Sequence, residues 1–154
     1  MTEILPLEKI KERIGEEIGT SDWLEIDQNR INQFAECTSD QQWIHVDEEK
    51  AAAGPFGKTI AHGFLTLSLI SFFSEDNLLV PEGTMMAINY GLNKVRMLNP
   101  VPVGSKVRDI IKLGEITEKS GGRILVATNH TIEIEGQEKP ACIAESLAMF
   151  FTQQ

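Results

Sequence analysis

Three residues in the first half of the chain are suited to proton-transfer chemistry on a carbonyl compound. Asp40 and His45 close off the stretch Asp40-Gln41-Gln42-Trp43-Ile44-His45. A carboxyl group and an imidazole, with ordinary pKa values of ~3.9 and ~6.5, form a workable pair for moving protons to and from one water. Standing alone, Asp40 would read first as a turn or cap residue, a common use of Asp beside Ser. The third residue is Gly63, which follows His62 at the head of an apolar segment. At the start of a helix the backbone N–H groups are free, and the helix dipole favours negative charge there. A glycine also lets a substrate carbonyl come close to the backbone, which is how an oxyanion hole is made. The same glycine could instead serve only its own dihedral angles, and position alone leaves both uses open.

These residues need elements to hold them. The central one is Thr59–Phe73, TIAHGFLTLSLISFF, which contains no Asp, Glu, Lys or Arg. An amphipathic surface helix would carry a charged face, and a bilayer span needs ~20 apolar residues. The segment has neither, so it is expected to be a core helix buried on all sides. Asp76-Asn77 and Pro81 are its expected stop signals.

Upstream, Leu7, Ile10 and Ile14 share one helical face that Gly15 closes, and Trp23–Ile26 reads as a short strand. Asp27 is placed to cap a helix through Ile31, Phe34 and Ala35 that ends near Thr38-Ser39. The Asp40–His45 stretch then reads as a loop, followed by a short helix over Glu48–Ala53 that Gly54-Pro55 stops. The second half is β. Met85–Leu98, Lys106–Glu118, Ile124–Ile134 and Ala141–Phe151 are strand-like, with Ser120-Gly121-Gly122 as a hairpin turn. Ile124, Val126, Thr128, His130, Ile132 and Ile134 alternate strictly with the other face. His130, among apolar neighbours, reads as packing or surface rather than catalysis, and Cys37 as a small buried residue. A helix followed by long antiparallel strands makes an α+β architecture with the helix on one sheet face.

The bulk properties narrow the function. The 154 residues are expected to form one domain, 1–154, able to bury a proper core. A net charge of −9 argues against nucleic acid or an anionic membrane as partner, so an anionic ligand would need a local basic patch. Cys37 and Cys142 have no metal-ligand spacing, and the charged N-terminus lacks a signal-peptide core, which points to reduced thiols and a cytoplasmic location.

Taken together, Phe34–Ser71 resembles the MaoC-like, (R)-specific enoyl-CoA hydratase family. That family's signature is Asp-x-Asn-Pro-aliphatic-His, with a His-Gly further on that opens the central helix. Asp40, Ile44, His45 and His62-Gly63 match it. The string DQQWIHVDEEKAAAGPFGKTIAHGFLTLSL and the segment Ala87–Ser105 are closer still to the subgroup related to nodulation protein N. Ser39 stands where the family usually has Gly, and Gln42-Trp43 where it has Asn-Pro.

The resemblance implies a hot dog fold, an antiparallel sheet wrapped round the central helix, usually as a homodimer. It implies catalytic roles for Asp40 and His45, an oxyanion-hole amide at Gly63, and a supporting hydroxyl at Ser71, with Gln42 shaping the pocket. Ser71 lies about 12 Å along the helix from Gly63, so it would orient Asp40 or the helix, unless its hydroxyl is satisfied by its own helix backbone. Lys94, Arg96 and Lys58 are candidates for the phosphates of coenzyme A, or else surface charges. The reaction implied is reversible hydration of a trans-2-enoyl-CoA, with no metal or redox cofactor because the thioester itself acidifies C2. Two other functions stay open. An acyl-CoA thioesterase would need a carboxylate aimed at the thioester, and the helix has no acid before Glu75. A non-catalytic acyl-CoA binder would have no need of both Asp40 and His45.

Overall fold

The computed structural model describes residues 1–153. The chain begins with β1 (Glu3–Leu5), α1 (Leu7–Lys11), β2 (Glu17–Thr20) and β3 (Leu24–Glu25). Next come α2 (Gln28–Thr38), α3 (Trp43–Val46), α4 (Glu48–Ala52) and α5 (Gly63–Ser74). After β4 (Leu79–Pro81), four long strands complete it: β5 (Thr84–Met97), β6 (Lys106–Lys119), β7 (Arg123–Ile134) and β8 (Cys142–Thr152). The main sheet has the order β2-β6-β7-β8-β5, with β3 extending β2's side along β6. All of its pairings are antiparallel. Gly121 and Gly122 turn β6 into β7 with φ of 76° and 67°, a conformation open to glycine at little cost.

The sheet is laid along α5. The residues expected to alternate on β7 form its buried face, and Ile132 and Ile134 meet Leu65, Leu69 and Phe73 of the helix in one core with Ile26, Ile31 and Val107. A second cluster, with Leu113, Val126 and Phe150, lies against α1 and β4. Asp27 caps α2 as expected, its carboxylate accepting the Arg30 amide at 2.8 Å.

Four expectations are corrected. His45 lies in a helical turn, α3, rather than in a loop, because Gln42 and Trp43 offer their carbonyls to the His45 and Asp47 amides. Cys37 is exposed on the outer face of α2, since the buried face of that helix is taken by Ile31 and Ala35. The pattern of local periodicity also missed β2 and the small parallel pair β1–β4. Finally, α5 is not buried on all sides within one chain: Phe64 is 70% and Phe72 57% exposed, with Ser68 and Ser71 on the same face. The sheet covers one side of the helix, and the described residues leave the other side open.

Candidate active site

The site is assembled where three short segments meet. At the end of α2, Ser39 adopts φ 60°, the only non-glycine residue with positive φ among the described residues. That left-handed residue reverses the chain and delivers Asp40 toward the head of α5. Next, α3 presents His45, and Gln28 of α2 fixes α3 by donating to the His45 carbonyl at 2.8 Å. Gln28 in turn accepts the buried Thr59 hydroxyl at 2.5 Å. The strand-like piece Thr59–Ala61 is clamped on both sides, Ile60 N to Ile44 O at 3.0 Å and Ala61 N to Val101 O at 2.8 Å. It leads directly into α5.

His45 is buried, and its Nδ1–H donates to the Ile60 carbonyl at 2.7 Å. That bond fixes the tautomer and leaves the Nε2 lone pair free. Burial above all holds the imidazole below its ordinary 6.5. The Ile60 carbonyl opposes this, neighbouring His62 adds to it, and Asp40 opposes it again. His45 is therefore a neutral base at neutral pH. Asp40 is exposed, one carboxyl oxygen 3.4 Å from the Gln42 amide.

His62 is the residue whose role the sequence left unassigned. It is buried, stands at the N-cap position of α5, and donates from Nε2 to the Asp40 main-chain carbonyl at 3.0 Å. Its ring stacks on His45 with centroids 3.8 Å apart and 22° between planes. One side chain thus ties the Asp40 turn to the helix start and braces the base. Its Nδ1 is buried with no partner, and a buried acceptor left in that state has a desolvation cost. Its signals in the sequence were an imidazole at the head of an otherwise apolar helix and the His-Gly match to the family signature, neither of which gave the side chain a role.

Asp40, His45 and His62 bring ligand-type atoms within 4.8 Å of one another, close enough to suggest a cation. The stacking argues for another use. Ring-nitrogen lone pairs lie in the ring planes, so two nearly parallel rings direct them side by side rather than at one point. The arrangement suits proton exchange better than ligation.

Gly63 opens α5 in ordinary right-handed conformation, so its dihedral angles do not require glycine. Space is tight but not closed: a Cβ there would meet Met97 Cγ at 3.2 Å, and that half-exposed side chain would have to give by a few tenths of an ångström. The Gly63 amide has no hydrogen-bond partner among the described residues. Gly63 and His45 line one hollow of about 230 Å³ together with Thr66, Met97 and Val101.

The remaining candidates lie elsewhere. Ser71 is exposed, its hydroxyl makes no hydrogen bond among the described residues, and it borders a different cavity under the far half of α5. It neither reaches Asp40 nor bonds its own helix, unlike Ser68, which donates to the Phe64 carbonyl at 2.6 Å. Gln42 caps α3, with its side chain exposed beside the site. Lys94 and Arg96 are exposed on β5; Val95 packs toward the core and Met97 against Gly63, so strand alternation turns the two cations to the opposite face. Lys58 is exposed before Thr59, its ammonium 3.5 Å from the Val103 carbonyl. None of the three cations joins the Asp40–His45–Gly63 cluster of its own chain.

Known proteins share this arrangement of chain. The MaoC like domain matches residues 9–135. A 3-hydroxyacyl-thioester dehydratase Z of Mycobacterium tuberculosis H37Rv is 51% identical over 136 residues, 88% of this chain and 89% of the relative. Nodulation protein N of Rhizobium meliloti is 42% identical over 146 residues, 94% of this chain and 91% of the relative. Among solved structures, a MaoC-like dehydratase from Rhodospirillum rubrum superposes with a TM-score of 0.76 at 21% identity, covering 97% of this chain and 99% of the other. The fold is the α+β hot dog, and the chain belongs to the MaoC-like dehydratase family.

Proposed function

We propose that the protein is an (R)-specific enoyl-CoA hydratase, a hydro-lyase interconverting a trans-2-enoyl-CoA and the (R)-3-hydroxyacyl-CoA. One observation carries the proposal: a neutral imidazole with a free Nε2 and an unpartnered helix-start amide share one hollow, with a carboxyl group beside them. The thioester oxygen docks at the Gly63 amide and the enoyl carbons extend toward Asp40 and His45. His45 Nε2 takes a proton from the water as its oxygen bonds to C3. The electron pair of the C2–C3 double bond moves toward the thioester, and the Gly63 amide stabilises the enolate-like oxygen. The Asp40 carboxyl group holds the water's remaining hydrogen. It then receives the proton from His45 and delivers it to C2, so that one water has been added across the double bond.

A homodimer fits this scheme. The edge strand β5 is unpaired on one side, and its Met86, Ile88, Tyr90 and Leu92 are exposed, as are Phe64 and Phe72 of α5. Such an apolar edge is suited to a second copy, which would also cover the open face of α5. Lys94 and Arg96 on β5, and Lys58, then supply cations for the coenzyme A phosphates, the β5 pair across the interface. Two unpaired thiols, Cys37 and Cys142, accord with a cytoplasmic location.

The test is a set of variants assayed on crotonyl-CoA. Asp40→Asn and His45→Gln should each lower kcat by ~10²–10⁴-fold while leaving the fold intact. Because both groups act on one water, the double variant should fall far short of the product of the two losses. A folded Asp40→Asn protein with near-wild-type rate would remove Asp40 from the mechanism.

A further inference from the structure

Under the second half of α5 lies a cavity of about 170 Å³, apart from the Gly63 hollow. Its wall is largely apolar, including Ile70, Leu113 and Phe150, yet it also carries Ser71, Ser74, Asn89, Thr128, His130 and Ser146. The last of these is the end of a buried polar chain that the hydration mechanism does not use. Asp109, fully buried on β6, accepts from His130 Nδ1 at 2.6 Å, and His130 Nε2 lies 2.9 Å from Ser146 Oγ.

The chain of contacts is built by strand register. His130 sits opposite Ile111, two residues from Asp109, and opposite Ala144, two residues from Ser146. The three side chains therefore form a diagonal row across β6, β7 and β8 on the sheet face beneath the helix. Stability alone gives little reason for the row, since replacing a buried polar pair of this kind by apolar groups of similar size is often neutral or stabilising, and one oxygen of Asp109 has no partner. The row reaches the cavity wall at His130 and ends there on the half-buried Ser146 hydroxyl, with Ser71, Ser74, Asn89 and Thr128 as the other polar groups of the wall.

The order carboxyl–imidazole–hydroxyl is that of a nucleophilic serine, but the surroundings are not. Ser146 lies on a strand paired on both sides, by β5 and by β7, so the β8 amides beside it are committed to the sheet rather than free to receive an oxyanion. What remains is recognition. If His130 donates to Ser146, the serine hydroxyl points its own hydrogen into the cavity; if Ser146 donates to His130, it offers lone pairs. A hydroxyl partner satisfies either arrangement, being donor and acceptor at once. A carbonyl satisfies only the first, and an alkyl chain satisfies neither.

We propose that this cavity receives the acyl chain of the substrate and that Ser146, held by His130 and Asp109, selects chains carrying a hydroxyl group beyond C3. The proposal rests on the acyl-thioester reading above, and binding separates the two. Saturated acyl-CoAs of six, eight and ten carbons, each plain or with a terminal hydroxyl, are titrated calorimetrically into the wild-type protein and into Ser146→Ala. At one of these lengths the wild type should bind the hydroxylated chain at least tenfold more tightly than the plain one. Ser146→Ala should abolish that preference, and Ser146→Thr, which keeps the hydroxyl, should retain part of it. Equal or reversed preference at every length, no binding of either series, or a preference unchanged in Ser146→Ala would overturn the proposal. So would labelling of Ser146 by a fluorophosphonate, which would make it a nucleophile. Crotonyl-CoA turnover by the same wild-type preparation reports on the hydratase reading separately. A hydroxyl preference without turnover would sink that reading alone, and turnover without preference would sink this proposal alone.

Discussion

His45 and His62 are chemically the same side chain, and their surroundings give them different work. The Ile60 carbonyl fixes one proton of His45 and leaves Nε2 as a base, whereas His62 spends its N–H on the Asp40 backbone. Burial, foremost among the influences on His45, keeps it neutral further into acid than a free imidazole. Protonated His45 has no lone pair at Nε2, so the rate must fall as the pH drops through its pKa. Since that value lies below 6.5, the acid limb of kcat/KM for crotonyl-CoA should be centred below pH 6.5. A pH–rate profile with its acid limb centred at pH 7 or above would mean that His45 is not the base, or is not desolvated.

The element that sets the Asp40 turn is the end of α2, and it holds a residue poorly matched to its conformation. Left-handed backbone costs a non-glycine residue roughly 1 kcal/mol, and Ser39 sits at φ 60°. Ser39→Gly should raise the unfolding free energy by about 0.5–1 kcal/mol without lowering turnover, as denaturant melts would report. A loss of stability would mean that the serine hydroxyl has a partner in solution that outweighs its strain. This is also the scale at which the sequence was most legible. Local patterns are written in neighbouring residues: the alternation along β7, the Asp27 cap, the glycine hairpin and the uncharged α5 were all readable there. Asp40, His45 and Gly63 were singled out through the resemblance to the hydratase signature, and the fold brings Asp40 and His45 side by side. Pairings between distant segments were not. The β1–β4 pair joins residues at opposite ends of the first half, and His62 reaches Asp40 only because Ser39 turns the chain. His130 looked like packing because nothing near it in sequence announces Asp109, which β-sheet register brings alongside.

At the scale of the whole molecule, one chain leaves an unfinished surface. The edge of β5 and the outer side of α5 expose large apolar side chains next to each other in the fold, while the proposed reacting groups lie at the head of that same helix. Sedimentation should therefore report a homodimer at micromolar concentration, and Tyr90→Glu, which puts a charge on the open β5 edge, should shift it toward monomer with loss of activity. A wild-type protein that sediments as a fully active monomer would contradict this.

The most direct test of the central claim is made on the intact wild-type protein with crotonyl-CoA, following two signals at once. If the carbonyl docks at Gly63 and the pair Asp40–His45 addresses C3, the enoyl absorbance should disappear with no free thiol released, and chiral analysis should return the (R)-3-hydroxy product. If instead the water is directed at the carbonyl carbon, thiol will appear while the double bond survives. That second result would contradict the hydratase account and turn the same site into that of a thioesterase.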